Sequence, residues 1–316
     1  MRRATVARLR PYTPKELEQI ATQLSQLYAQ AERAILSILD RGDITSWNRA
    51  FKRQQLSQIR AVLAQLNGHT TQWARYHLPT LYQHGMRISD GHLMPGGLSK
   101  LAHPGEVTPM DLGMTRMHQR AIGVLAENTA TQLGEANSFC AQRIEDMIAR
   151  AQRIAKVAGR DTARTSVLSS SMAEQLAIRD TSLGAMQQAF AQGQTSKQAA
   201  KAFNAKLRQQ GITSFTDKAG KRWNMQTYSD MIARTVSQES QRHGSQNRLI
   251  ERGYDLVEIS SHANACDLCE PWQGEIVSLS GDDTAHASMA DAVAEGLFHP
   301  NCGHAVEPYV TSPPST

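Results

Sequence analysis

Three cysteines and a histidine near the C-terminal end have the types and spacing of a metal site. Cys266-Asp267-Leu268-Cys269 is a C-x2-C turn, a geometry in which two thiolates converge while nearby backbone N–H groups stabilise their charge. After 32 intervening residues comes Cys302-Gly303-His304. On an extended segment, residues two apart point to the same face, so Cys302 and His304 can complete a sphere that Cys266 and Cys269 open. Thiolates and imidazole suit tetrahedral Zn2+, and Cys3His is a known structural set. His299 competes with His304 as fourth ligand; Pro300 behind it favours a role in the turn, so His304 is the preferred assignment. His262 and His286 read as ordinary surface residues, and Trp272 and Phe298 are expected to pack around the site. Four protein ligands leave no open position for a substrate, so the expected zinc is structural.

Other chemistries fit less well. A zinc deaminase needs a Glu two residues beyond its ligand His and a Pro-Cys-x-x-Cys run, whereas Asn301 follows His299 by two and Ala265 precedes Cys266. A nuclease resembling the HNH class could use the same cysteines and late histidine, but it must approach phosphate. Residues 253 to 316 carry ten acids and no Lys or Arg, a charge that phosphate repels. All 34 basic residues precede Gly253 and face 19 of the 29 acids, which makes the body +15 and the tail −10. Such a body could lie near nucleic acid or an acidic partner, or its charges could simply solvate helix faces. Ser99-Lys100 lacks the spacing of a Walker loop behind Gly91, Gly96 and Gly97, and Ser169-Ser170-Ser171 has no histidine near it in sequence. The chain is expected not to be an enzyme.

The elements that must position the cluster follow from composition and periodicity. Aromatic residues are 5% of 316, which favours helices over sandwiches or barrels, and the length allows two or three domains. The predicted fold is mainly α, with long helices and helical hairpins and a small C-terminal α+β module forming a zinc-braced knob. Thr13-Pro14 marks a helix start, and Leu17, Ile20, Leu24, Leu27, Ala31, Ala34 and Ile38 form one stripe. A second stripe, Leu56, Ile59, Leu63 and Leu66, is predicted to end at Asn67-Gly68, giving a hairpin region over 1–90. Residues 91–111, with Pro95, Pro104 and Pro109, read as a Gly/Pro-rich linker.

A long-helix domain is predicted over 112–210. Its stripe is Cys140, Ile144, Met147, Ala151, Ile154 and Ala158, which makes Cys140 a core residue, and further helices are expected from Ser169 to Gln192 and from Ser196, capped by Thr195 or Ser196 itself. The module over 211–316 is predicted to hold a hairpin around Gly220 anchored by Trp223, a helix from Met225 capped by Gly253, and strands within 255–260, 273–279 and 305–310. The 32-residue gap can hold a strand and a helix. Clustered cysteines suggest a reducing compartment. No stretch approaches a membrane span, and Met1-Arg2-Arg3 runs into Pro11 without an apolar core, so no export signal is expected.

Asp255-Leu256-Val257-Glu258-Ile259-Ser260-Ser261-His262, Pro271-Trp272-Gln273-Gly274 and Gly296-Leu297-Phe298-His299-Pro300-Asn301-Cys302-Gly303-His304 resemble the C-terminal signature of the phage minor capsid protein 2 family of tailed phages. That family is similar in turn to the Mu F-like head morphogenesis proteins, whose tails end in a His-Pro-x-Cys-x-Cys motif; His304 stands where its last Cys would be. The run from Gly211 to Trp223 and that from Tyr228 to Thr235 look like the family's hairpin and following helix. The N-terminal half, including Tyr28-Ala29-Gln30-Ala31-Glu32-Arg33, is similar in character. The resemblance implies a low-copy virion protein, made in the host cytoplasm and placed inside the head near the portal, acting in head morphogenesis and DNA packaging or delivery. Its implied partners are the portal or major capsid protein, with packaged DNA reached through the basic body. Many relatives lack the C-x2-C pair, so the zinc expectation comes from these residues and not from membership. The rival readings are a virion-carried zinc-dependent nuclease or toxin-like effector, and a soluble DNA-binding protein.

Overall fold

A computed structural model describes residues 10–93, 113–158, 185–186, 188–189, 192, 194–210, 215–216, 222–263, 265–299 and 302–309. Most of the expected Ser169–Gln192 helix, the linker beyond Leu93 and the side chain of Trp223 lie outside them. The elements are helices α1 (Pro14–Leu39), α2 (Arg49–Leu93), α3 (Arg116–Ala158) and α4 (Ser196–Gln210), a hairpin of β1 (Phe215–Thr216) and β2 (Arg222–Trp223), and helix α5 (Met225–Glu251). Then come β3 (Leu256–Ile259), a 3-10 turn at Glu270–Trp272, β4 (Ile276–Ser278), β5 (Ala287–Ser288), α6 (Met289–Ala294) and β6 (Val306–Pro308). The fold is mostly helical, with its larger sheet at the C-terminal end.

Helix boundaries follow local chemistry. Thr13 and Glu16 form a reciprocal capping box, the Glu16 carboxylate accepting from Thr13 N–H at 2.7 Å and the Thr13 hydroxyl from Glu16 N–H at 3.3 Å. Thr195 and Gln198 repeat it at α4, with bonds of 2.8 and 3.4 Å. Gly253, at φ +82, lets Tyr254 N–H reach back to Leu249 O at 2.9 Å and stops α5 as predicted.

Two expectations need correction. The buried face of α1 is Leu17, Ala21, Leu24, Tyr28, Ala31, Ile35 and Ile38, while Ile20, Leu27 and Ala34 are only half-buried. Tyr28 and Ile35, beside the predicted stripe positions, fill the core instead. The second correction concerns Asn67-Gly68, which does not end α2. The apolar stripe resumes at Trp73, Leu78 and Leu81, so continuing the helix buries more than a break would. Pro79 is tolerated inside it despite the lost backbone donor.

The chain divides into two compact units. One comprises Ser25–Thr70 and Thr131–Ser229. Its buried side chains include Ile35, Ile59, Leu63, Leu133, Cys140, Ile144 and Phe203, so Cys140 is core as expected; burial pushes its thiol pKa up to about 12. Asn137 pins this unit's interior by donating to Asn67 Oδ1 at 2.5 Å and to the Tyr28 hydroxyl at 3.3 Å.

The other unit comprises Met1–Leu24, Thr71–Ala130 and Asp230–Thr316. Within it α2 and α5 approach until their backbones touch: a Cβ on Gly85 would lie 1.9 Å from Gln241 O, and one on Gly244 1.9 Å from Tyr82 O. Small polar residues line the same seam, with Ser240 Oγ donating to Leu78 O at 2.7 Å and Ser89 Oγ to Ser245 O at 3.1 Å. Below it, Arg248 grips Asp90 through two 2.8 Å bonds, and Glu251 accepts from Arg248 at 2.6 Å while pairing with His118 at 3.1 Å. The C-terminal sheet of this unit has the order β5-β4-β3-β6, with β3 antiparallel to β4 and β6 and β4 parallel to β5. Val257 faces Val277, and Ile259 faces Val306. These residues share a core with Met289, Leu297, Cys269 and Cys302.

Candidate metal centre

The two cysteine-bearing loops leave the sheet on either side of α6. Cys266 O accepts from Cys269 N–H and Glu270 N–H, both at 2.9 Å, and Pro271 opens the 3-10 turn behind them. The other loop follows α6, where Gly296 (φ +110) and Phe298 (φ +63) both adopt positive φ. Phe298 is the one non-glycine residue at positive φ among the described residues. That conformation costs an L-residue on the order of 1–3 kcal/mol, and burial of the ring in the module core, where Trp272 also packs, offsets it. Cys302 N–H then bonds His299 O at 2.9 Å.

These turns bring all four predicted ligands, and His299, to one place. Cys266, Cys269 and His299 have donor atoms within 4.8 Å of one another, as do Cys269, Cys302 and His304, so Cys269 belongs to both triads. His299 Nε2 lies 3.0 Å from Cys266 Sγ, Cys269 Sγ 3.6 Å from Cys302 Sγ, and His304 Nδ1 3.3 Å from Cys302 Sγ. Cys269, Cys302 and His304 are buried, whereas Cys266 is exposed.

The electrostatics suit a cation. Backbone N–H groups of Cys269 and Leu268 hold the Cys266 thiol below its ordinary pKa, with His299 helping. Burial, then the neighbouring Cys302 thiol, pushes Cys269 the other way. A divalent metal would reverse that penalty by supplying the missing positive charge. Burial also lowers the His304 pKa, aided by the charges of His262 and His299, which leaves a neutral ring competent as ligand or donor. Two buried thiols, an exposed third and two imidazoles fit Zn2+ by donor chemistry.

Sequence reasoning missed two neighbours. His262 is exposed, as predicted, but its ring packs on His304 with centroids 4.1 Å apart. Arg242 of α5 places its guanidinium carbon 3.9 Å from the Phe298 ring centroid, a cation–π contact. Burial lowers its pKa to about 10, against the opposing charges of Glu239 and Cys302. Arg242 and Phe298 are 56 positions apart in the sequence, so no local spacing announces the contact. His286 pairs with Asp283 at 3.2 Å, away from both triads.

Residues 147–314, more than half of the chain and all of the cysteine–histidine cluster, match the family model described as phage minor capsid protein 2. The chain belongs to that family. No curated protein and no solved structure matches it. Membership gives this minor capsid protein a structural role in the phage head, in agreement with the resemblance of its tail motifs. Among the described residues no helix is long and apolar enough to cross a membrane.

Proposed function

We propose that this chain is a structural minor head protein of a tailed phage, associated with the portal or the capsid interior, and acting in head morphogenesis and DNA packaging or delivery. The observation that carries this reading is the family match over 147–314, which takes in α5 and the whole C-terminal sheet. In this reading the C-terminal module is a docking knob without enzymatic activity. One structural Zn2+ ties its two loops through Cys266, Cys269, Cys302 and one histidine. The module's acidic character supports contact with protein over contact with phosphate, while the basic body, made in the host cytoplasm and carried into the head, is the part suited to lie against packaged DNA.

Mass spectrometry of intact virions tests the placement. The chain is expected in a fixed, low ratio to the portal subunit, and purified full-length protein is expected to be captured by portal rings. Absence from virions would overturn the reading. So would metal-dependent cleavage of DNA or RNA that His304→Ala abolishes, which would favour the nuclease.

A further inference from the structure

Five donor residues crowd the place where a four-coordinate zinc would sit. We infer that Cys266, Cys269, His299 and Cys302 form the sphere, and that His304 stands outside it, donating its Nδ1–H to the Cys302 thiolate. The inference rests on the zinc reading above and replaces the fourth ligand that spacing alone favours.

The first argument is the repetition of one main-chain hydrogen bond. Cys269 N–H bonds Cys266 O at 2.9 Å, and Cys302 N–H bonds His299 O at the same 2.9 Å. In each pair the carbonyl oxygen of the first residue therefore holds the main-chain N–H of the residue three further on. Across the loops the pairs meet: His299 Nε2 with Cys266 Sγ at 3.0 Å, and Cys269 Sγ with Cys302 Sγ at 3.6 Å. A tetrahedron built from Zn–S of about 2.3 Å and Zn–N of about 2.0–2.1 Å has edges of roughly 3.5–3.8 Å. The sulfur–sulfur contact already has that length and the sulfur–nitrogen contact needs only a small opening, whereas Cys302, which shares a triad with Cys269 and His304 and not with Cys266 and His299, must close on the other two donors when metal binds.

Hydrogen-bond accounting at His304 supplies the second argument. Its ring is 6% exposed, Nδ1 faces Cys302 Sγ at 3.3 Å, and Nε2 is buried with no partner. A neutral imidazole has one N–H. Were Nδ1 bound to metal, the proton would sit on Nε2, where nothing accepts it, whereas metal-bound histidines almost always donate that second N–H to a partner. With His304 outside the sphere, the proton sits on Nδ1 and points at the thiolate. The His304 main-chain N–H also approaches Cys302 Sγ, at 3.5 Å, so two N–H groups converge on that sulfur.

Metal counting and X-ray absorption on the full-length chain test the assignment. Wild type is expected to hold about one zinc with three sulfurs and one nitrogen. His304→Ala should keep that sphere with affinity reduced about 10–100-fold, the usual effect of losing an outer hydrogen bond. His299→Ala should lose the nitrogen, and His299→Cys should hold one zinc on four sulfurs, a check that survives if the alanine variant fails to fold. Loss of the nitrogen in His304→Ala with its retention in His299→Ala would overturn the assignment and leave the zinc reading intact. A wild-type chain that binds no zinc would overturn both.

Discussion

Asp90 and Arg248 are 158 positions apart in sequence and bound by two 2.8 Å hydrogen bonds, with 7% and 8% of their side chains exposed. A guanidinium so placed has exchanged water for this carboxylate and for Glu251. Removing Asp90 leaves the cation half-paired in a buried site, which is where single substitutions become expensive. Asp90→Leu is expected to cost about 3 kcal/mol, the low end of the range for broken buried pairs because Glu251 remains. Asp90→Leu with Arg248→Met should recover most of that, since replacing both members by apolar groups removes the stranded charge. Urea unfolding of the two variants checks both statements; a double variant no better than the single would mean that the pair contributes more than its desolvation cost. Nothing in the sequence around Asp90 or Arg248 reveals this pair. Both sit on polar-looking helix faces, and only packing shows that those faces are interior. The candidate metal ligands were legible for the opposite reason: C-x2-C and C-x-H are local spacings whose chemistry is fixed before the chain folds. What local spacing could not give was the choice between His299 and His304, because it depends on a turn geometry and an unpartnered nitrogen that exist only in the folded loop.

The helices α2 and α5 meet at Gly85 and Gly244, where a Cβ would lie 1.9 Å from a carbonyl oxygen of the opposite helix. Neither glycine has positive φ, so their role is to let two backbones touch. Gly68, Gly123 and Gly134 lie in helices too, yet nothing stands within 4 Å of a Cβ added to them. The two groups should respond in opposite directions to alanine. Gly85→Ala or Gly244→Ala must push the helices apart and lengthen the Ser240 and Ser89 bonds, a loss of about 1–3 kcal/mol or more from overpacking. Gly68→Ala, Gly123→Ala or Gly134→Ala should gain up to about 1 kcal/mol from helix propensity alone. Thermal melts of one variant from each group decide the matter, and a neutral Gly244→Ala would show that the seam has room to relax. Element ends were readable wherever a side chain or glycine closes them, as at Thr13, Thr195 and Gly253. They were unreadable at Asn67-Gly68, where a local stop signal is outweighed by the apolar stripe from Trp73 onward. The two-residue β5 and the short α6 carry too few residues to show a period.

At the scale of the whole molecule, buried area is unevenly distributed. The Ser25–Thr70 and Thr131–Ser229 unit has long apolar helix faces and, among its described residues, no metal-competent cluster. The C-terminal sheet has strands of two to four residues, and the core behind it has, among the described residues, eleven buried residues, two of them the cysteines Cys269 and Cys302. A core that small supplies little net stability by itself, and small folds commonly depend on a metal or disulfide staple. If zinc is that staple, binding free energy is folding free energy for the module, because the ligands converge only when the loops are folded. Chelation under reducing conditions should therefore raise amide hydrogen exchange from Leu256 to Pro308, most at β6, an edge strand that among the described residues pairs with β3 alone. Exchange in residues 131–158 and at the Asn137 pin should stay as it was. Protection of β3, β4 and β6 that survives complete metal removal would mean that apolar packing alone holds the module together, and that its thiols are core residues like Cys140.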